Sequence, residues 1–264
     1  MLRDITLGQY FPGNTPVHRL DARTKLIATV LYIIAVFSAK SFYVYAALAV
    51  LLVVTALISK VSAKALFGGL KPILFIIFLT AFLNLFYSAG NVVAQWWIFK
   101  ITDTGIQTAV SMALRITLLI TGTFLLTYTT SPIQLTDGLE NLLAPLKKVK
   151  VPVHELTMMM SIALRFIPTL IRETDKIMSA QKARGADFES GNLVQRAKAL
   201  VPILVPLFVS AFRRADELAT AMECRCYHGG EGRTKLRVMR YRAVDWLVMA
   251  FYLLLAAAVI WLGR

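Results

Sequence analysis

Acidic residues are scarce in this sequence, and so are cysteines. Among its 264 residues only 15 are Asp or Glu, against 29 Lys or Arg, while apolar residues make up 57% and charged residues 17%. This composition excludes an ordinary soluble domain and predicts an integral membrane protein. A net charge of +14 would suggest nucleic-acid binding in a soluble chain, but here the Lys and Arg residues lie between and beside apolar runs, as in cytoplasmic loops. We therefore expect contact with a lipid bilayer and not with nucleic acid.

The two cysteines, Cys224 and Cys226, are separated by a single residue, which is too close for the usual geometry of a disulfide. Together with His228 they form a C-x-C-x-H cluster that suggests a soft metal ion. Structural zinc normally takes four ligands at wider spacing, and the sequence offers no fourth ligand nearby. We therefore predict no metal site and no cofactor.

Several catalytic motifs are also missing. No G-x-x-x-x-G-K-[ST] phosphate loop occurs, so the chain is not expected to hydrolyse ATP, and energy for any transport would come from a partner. The H-E-x-x-H and G-x-S-x-G motifs of membrane-embedded enzymes are absent as well. Two alternatives stay open beside a non-catalytic subunit: a membrane-embedded enzyme, and a self-contained secondary transporter, which predicts interrupted helices in two corresponding halves.

Five apolar runs predict transmembrane helices over residues 26–39, 42–58, 72–88, 106–129 and 244–262. Lys and Arg at both ends of the first hairpin predict a cytoplasmic N-terminus, and an odd number of spans then places the C-terminus outside. The segment 89–104 carries Trp96 and Trp97, which suit the membrane–water interface on the outer side of the bilayer. The fold class predicted is an all-α integral membrane protein that crosses the cell (inner or plasma) membrane several times.

Residues 131–242 differ from the rest, because apolar stretches alternate there with charged ones. We predict a cytoplasmic helical domain over 131–242, between a four-helix membrane domain over 1–130 and a final transmembrane helix within 243–264. A short helix should begin at Pro132, capped by Ser131, and end near Pro145. Two long helices should follow over 153–185 and 193–227.

The two long helices carry an internal repeat with a spacing of 41 residues. The sequence SAQKARGAD at 179–187 aligns with TAMECRCYH at 220–228, so that Arg184 matches Arg225. The same alignment pairs Arg172 with Arg213, Asp175 with Asp216, Ile177 with Leu218, Ser179 with Thr220, and Ala180 with Ala221. Each helix has an apolar first half that contains proline and a charged second half.

The matched arginines continue an apolar stripe. Ile177, Ala180 and Arg184 share one helical face, and the second helix repeats this arrangement up to Arg225. A covered guanidinium needs a carboxylate or backbone carbonyl oxygens within reach, so this pattern predicts a docking surface. Alternatively, both are solvated cations stabilised by the helix dipole, worth about 0.3–1 kcal/mol each.

These features resemble the transmembrane (T) component of energy-coupling factor transporters, over essentially the whole chain. The resemblance rests on Ala183-Arg184-Gly185, on Cys224-Arg225-Cys226 and on the opening YFPGNTPVHRLDARTKL at residues 10–26. Cys224 stands where the family usually has Ala, and both residues are small.

The resemblance implies a function and partners. A T component joins two cytoplasmic ATP-binding subunits to a membrane-embedded S component, which captures a vitamin or a metal ion. The two arginine-bearing helices would be coupling helices, each docked into a groove of one ATPase. Ala183, Arg184, Gly185, Cys224, Arg225 and Cys226 would then form the ATPase-coupling sites.

Arg115 lies inside the fourth predicted span, about ten residues from its start. An ionisable residue at such a depth is a candidate for an intramembrane functional role. It could also extend its side chain to the interface or pair with a group on another helix.

Overall fold

The computed structural model describes residues 10–87, 92–96, 99–188, 192–230 and 239–262. Ten helices and one short β-ribbon make up these residues: α1 (Pro16–Arg19), α2 (Ala22–Ser38), α3 (Phe42–Ser59), α4 (Ala63–Leu70), α5 (Leu74–Tyr87), β1 (Val92–Trp96), β2 (Phe99–Thr102), α6 (Asp103–Thr129), α7 (Pro132–Leu143), α8 (Val153–Ala183), α9 (Leu193–Glu223) and α10 (Ala243–Leu262). Short 3₁₀ turns lie at Lys71–Ile73 and Ala144–Val149.

Side-chain caps fix where several helices begin. The Asp21 carboxylate accepts a hydrogen bond from the backbone N–H of Arg23 at the start of α2, and the Thr102 hydroxyl accepts one from Gly105 at the start of α6. At α7 the Ser131 hydroxyl accepts from the backbone of Gln134, whose side chain accepts from the backbone of Ser131 in return. This reciprocal capping confirms the helix start predicted at Pro132.

The chain divides into two compact units. Of the described residues, those within 10–142 and 239–262 form one unit, which we call the bundle unit, and those within 143–230 form the other, the helix-pair unit. Helix α7 packs closely on the start of α2, since a Cβ atom added to Gly138 would lie 3.1 Å from that of Ala22. The domain boundaries predicted at 130/131 and 242/243 stay predictions.

The core of the bundle unit is formed by α2, α3, α6 and α10. Alanines in the core let these helices approach each other, and two tyrosines are buried beside them. The buried cluster consists of Tyr32, Ala35, Val36, Ala39, Tyr45, Leu48, Leu52, Leu118, Ala256 and Val259. Large apolar side chains such as Phe75, Phe78 and Leu254 point outward and are more than half exposed. An outer surface of this kind suits a protein surrounded by lipid.

Five helical segments are long and apolar enough to cross a membrane: Phe42–Ser59, Ala63–Phe86, Asp103–Thr129, Val194–Glu223 and Ala243–Leu262. This number equals the prediction, but the set differs. Helix α2 has only 17 residues, so it is not among the five. Residues 194–223 are among the five, although the sequence predicts that they lie in the cytoplasmic domain.

Three elements were not predicted from the sequence. Helix α1 lies in the N-terminal segment, and α4 occupies part of the stretch between the second and third predicted spans. Within the segment 89–104, β1 and β2 pair as an antiparallel ribbon with Gln95 opposite Lys100 and Trp96 opposite Phe99. A ribbon of nine residues shows too little alternation of polar and apolar residues to be recognised in sequence.

Candidate functional site

The helix-pair unit contains the two repeat helices, α8 and α9, each of 31 residues. Helix α8 contains Pro168, and α9 contains Pro202 and Pro206, all inside the helix as predicted. A polar cluster joins the two helices. Arg214 Nη2 lies 2.5 Å from Glu173 Oε2, and the Ser210 hydroxyl donates to the other carboxylate oxygen of Glu173. Sequence inspection did not identify this ion pair.

Helix α8 ends in a Schellman motif centred on Arg184 and Gly185. The N–H of Gly185 donates to the carbonyl of Lys182 at 3.0 Å, and the N–H of Ala186 donates to the carbonyl of Gln181 at 3.0 Å. Gly185 adopts the left-handed conformation with a φ of 86°. A Schellman motif needs that conformation one residue after the helix cap, and glycine adopts it without steric cost. Arg184 is therefore the cap residue.

Helix α9 ends in the same hydrogen-bonding pattern 41 residues later. The N–H of Cys226 donates to Glu223 at 2.9 Å, and that of Tyr227 donates to Met222 at 3.1 Å. Cys226 takes the left-handed conformation, with a φ of 54°. The repeat thus extends from residue types to backbone geometry. Arg225 directly precedes the left-handed residue, as Arg184 does in the first helix end.

All six predicted coupling residues are solvent-exposed: Ala183, Arg184, Gly185, Cys224, Arg225 and Cys226. Neither guanidinium has an ion-pair or hydrogen-bond partner among the residues that the structure describes. Ile177 and Leu218, which precede them on the same faces, are half-buried. Two equivalent helix ends thus present an exposed cation with both hydrogen-bonding edges available.

The chain beyond α9 turns back toward the start of α8. Gly229 has a φ of 98°, and Gly230 lies against the ring of His154, where an added Cβ would come within 2.4 Å of Cδ2. Any larger residue at Gly230 would displace that ring. Within the described part of the chain, no group of three or more His, Cys, Asp or Glu side chains is arranged to hold a metal ion.

Arg115 is held in the bundle unit by groups near the turn between α2 and α3. Its Nη2 donates to the Tyr45 hydroxyl at 2.8 Å and to the Ala39 carbonyl at 3.3 Å, and its Nε also donates to Tyr45. The Tyr45 hydroxyl in turn donates to the Ala39 carbonyl at 2.8 Å. The partners outside α6 are therefore a hydroxyl and a carbonyl oxygen, while Nη1 lies 3.9 Å from the Met112 sulfur within α6, and this arrangement ties α6 to the α2–α3 hairpin.

The opening motif at residues 10–26 forms a folded segment. The backbone N–H of Phe11 donates to the Tyr128 carbonyl at 3.0 Å, and the two rings meet edge to face. His18 bridges the segment, with Nδ1 2.7 Å from the Thr15 hydroxyl and Nε2 3.1 Å from the Phe11 carbonyl. Gly13 packs directly on that imidazole, because an added Cβ would lie 2.9 Å from Cε1.

Two charged groups anchor this segment to the helix bundle. Lys25 is 6% exposed, and its ammonium donates to the carbonyls of His18 and Thr129 at 3.1 and 2.9 Å. Asp245, at the start of α10, is 2% exposed and accepts hydrogen bonds from the backbone N–H groups of Asp21 and Arg242. Burial of charges is tolerated only with such partners. The motif is therefore a structural clasp.

Known proteins match nearly the entire chain. Residues 13–236 match the cobalt transport protein family, CbiQ. The energy-coupling factor transporter transmembrane protein EcfT of Ruminiclostridium cellulolyticum is 54% identical over 248 residues, which cover 94% of this chain and 93% of that protein. The chain belongs to the EcfT/CbiQ family. The EcfT proteins of Clostridium kluyveri and Bacillus subtilis are 51% and 49% identical, with coverage of 100% and 99% of both chains.

Membership of the EcfT/CbiQ family confirms the predicted fold class and the predicted role as the membrane component of a transporter. The matched range includes both arginine-bearing helix ends and begins within the N-terminal clasp. In this EcfT/CbiQ chain the clasp and the two helix ends differ in solvent exposure. The charged groups that anchor the clasp, Lys25 and Asp245, are buried and hydrogen-bonded, whereas the two helix ends are exposed.

Proposed function

We propose that this chain is the non-catalytic membrane scaffold of an energy-coupling factor transporter. Two cytoplasmic ATP-binding subunits supply the energy, and a separate membrane-embedded S component binds the vitamin or metal ion that is taken up. The missing phosphate loop supports the assignment of ATP hydrolysis to partners.

One observation carries the proposal. Arg184 and Arg225 lie at equivalent positions of two helix ends that form the same Schellman motif, 41 residues apart, and both are exposed. Two equivalent cationic tips suit two equivalent partners, because each tip offers a planar fork of N–H donors that matches a carboxylate. We assign Arg184 to one ATP-binding subunit and Arg225 to the other.

The flanking residues support docking. Ala183 and Gly185 beside Arg184, and Cys224 and Cys226 beside Arg225, are small, so a groove wall can approach the helix end closely. A guanidinium that enters such a groove loses its water and requires paired acceptors there. Movement of the ATP-binding subunits would then pass along α8 and α9 to the S component.

The proposed orientation places the N-terminus and the helix-pair unit in the cytoplasm and residue 264 outside, in the inner or plasma membrane. The distribution of Lys and Arg supports this orientation, since Lys60, Lys64 and Lys71 follow the α2–α3 hairpin, Arg19 precedes it and Arg23 lies in its first turn. Membrane-impermeant thiol labelling of single cysteines introduced at residues 40 and 64 checks it. Labelling from outside is expected only at residue 40.

Co-purification tests the function. The tagged chain alone should show no ATPase activity, and the chain co-expressed with its two ATP-binding subunits should retain both on the affinity column. Loss of a guanidinium leaves its partner carboxylate unpaired, which costs about 2–5 kcal/mol of binding at each site. The double variant Arg184→Ala, Arg225→Ala should therefore release both subunits.

Matched controls lie on the same helices. Arg172 and Arg213 occupy equivalent positions of the repeat, are exposed, and are remote from the helix ends. The double variant Arg172→Ala, Arg213→Ala should bind normally, since exposed ion pairs contribute about 0–1 kcal/mol. Full retention of both ATP-binding subunits and normal uptake by the Arg184→Ala, Arg225→Ala variant would contradict the proposal.

A further inference from the structure

The bundle unit contains an apolar cavity of about 450 Å³. Its size lies within the range of small-molecule sites in proteins. All four core helices contribute to it, and each contributes the half that lies at the end occupied by the N-terminal clasp. The lining comes from residues 25–32 of α2, 51–58 of α3, 122–129 of α6 and 244–252 of α10, together with residues of α1.

The cavity has the depth of about half a bilayer. The α10 stretch that lines it, residues 244–252, rises about 12 Å at 1.5 Å per residue. One leaflet contributes about half of a hydrocarbon core that is ~30 Å thick. The occupant that fits an apolar space of this depth in a membrane protein is hydrocarbon chain from a single leaflet.

A second space of about 620 Å³ lies at the clasp, and we call it the polar pocket because its lining is more polar than that of the cavity. Pro16 and Ile58 line both spaces, so the two spaces are direct neighbours. Its remaining lining consists of the loop residues 11–15, His18 and the turn that follows α3. An apolar space beside a more polar one matches a lipid with its chain inside and its headgroup at the clasp.

The charges around the two spaces favour an anionic headgroup. Among the described residues that line them, none is Asp or Glu, while Lys25 lines the apolar cavity and Lys60 lines the polar pocket. The Lys25 ammonium is already held by two carbonyls. Lys60 is exposed and has no ion-pair partner among the described residues. It is therefore available to a phosphate group.

We infer that the two spaces together bind one anionic phospholipid, with an acyl chain between α2, α3, α6 and α10 and the phosphate beside Lys60. The positive charge around this end of the bundle places the lipid in the leaflet that carries anionic headgroups. The acyl chain occupies the space that these four helices leave between them at the clasp end of the bundle.

Photo-crosslinking of the full chain in nanodiscs tests this site. The probe is a phosphatidylglycerol with a diazirine in its acyl chain, and labelled peptides are mapped by mass spectrometry. We expect labelling concentrated in α2, the second half of α3, the end of α6 and the first half of α10. Unlabelled phosphatidylglycerol should reduce it, and phosphatidylcholine at the same concentration should not. Uniform labelling of outward-facing helices, or equal competition by both lipids, would overturn the inference.

Two pairs of variants separate the chain site from the headgroup site. Val248→Trp fills the cavity from α10 and should abolish the specific labelling, whereas Val50→Trp, on an outward-facing surface that is 62% exposed, should not. Lys60→Gln should weaken competition by phosphatidylglycerol about fivefold, the loss expected for one lysine near an anionic lipid surface. Lys64→Gln, an exposed cation nearby that lines neither space, is its control. Since competition in the parent chain needs no variant, misfolding of Val248→Trp leaves the test intact.

Discussion

Glu173 and Arg214 form an ion pair between positions that are equivalent in the internal repeat. Arg214 follows Glu173 by 41 residues, the spacing that also relates Arg184 to Arg225. Equivalent positions meet when two copies of an element pack about a local twofold axis. The two helices whose ends carry Arg184 and Arg225 are thus joined at a point of their own pseudosymmetry, with Ser210 as a third member.

This pair should stabilise the contact between α8 and α9 modestly. The two side chains are 32% and 24% exposed, so Glu173→Gln or Arg214→Gln is expected to cost about 1 kcal/mol. The double variant Glu173→Arg, Arg214→Glu should recover part of that loss. Thermal unfolding of the purified complex in a double-mutant cycle measures the coupling. The neighbouring exposed Arg213→Gln is the control, and a cycle with no coupling energy would contradict the prediction.

The two Schellman motifs should respond in opposite directions to substitution at their left-handed residues. Gly185→Ala should destabilise the end of α8 by about 1 kcal/mol, because a Cβ atom is unfavourable at positive φ. Cys226→Gly should instead stabilise the end of α9, because glycine adopts a positive φ without steric cost. The gain should be smaller than the loss at Gly185, since glycine also loses more entropy on folding. Hydrogen exchange at the amides of residues 185–186 and 226–227 reports each end separately. If Gly185→Ala stabilised the end of α8, or Cys226→Gly destabilised the end of α9, the two ends would not be equivalent.

Lysine should replace either Arg184 or Arg225 poorly. An ammonium keeps the charge but cannot donate two parallel hydrogen bonds to one carboxylate. Arg184→Lys and Arg225→Lys are therefore expected to weaken ATPase binding, by less than the alanine variants do. Binding measured at two salt concentrations checks the cause. If charge alone mattered, the lysine variants would bind like the parent chain at low salt.

We expect Arg115 to stabilise the packing of the bundle unit and to take no direct part in transport. Tyr45→Phe removes a hydrogen-bond acceptor of Arg115 and should lower stability by about 1–3 kcal/mol, because the guanidinium keeps only the Ala39 carbonyl among these partners. Arg115→Lys should lower stability and uptake together. A direct role in transport would give a different result: Arg115→Lys would abolish uptake, whereas Tyr45→Phe would transport normally at equal protein level.

The N-terminal clasp should loosen in mild acid. Burial holds the pKa of His18 below its ordinary value, and this effect outweighs the hydrogen bond to the Phe11 carbonyl. The unfolded segment therefore binds a proton at higher pH than the folded one. Stability should fall as pH drops below about 6.5, the ordinary pKa of histidine, and level off below the folded pKa. Limited proteolysis near residue 10 between pH 7.5 and 5 measures this, and His18→Gln should remove the dependence.

The sequence determined the membrane class, the order of most helices and the repeat, because each depends on local information. Apolar run length, caps at Ser131, and the matched positions of Arg184 and Arg225 can all be recognised without tertiary contacts. The sequence pattern also identified the opening motif at residues 10–26, although it did not reveal what that motif does. Local information is ambiguous for helix α9. Its charged second half predicts a cytoplasmic helix, yet residues 194–223 are long and apolar enough to cross a membrane.

Which distant groups meet depends on how the helices pack in three dimensions. Lys25 with the Thr129 carbonyl, Asp245 with the backbone of Asp21, and Arg115 with Tyr45 are each separated by 70 or more residues. No local pattern encodes such contacts, because they depend on how the helices pack. The same reason applies to the lipid-sized cavity, whose walls come from four helices. Its volume is set by how closely those helices approach, a property that no single stretch of the sequence contains.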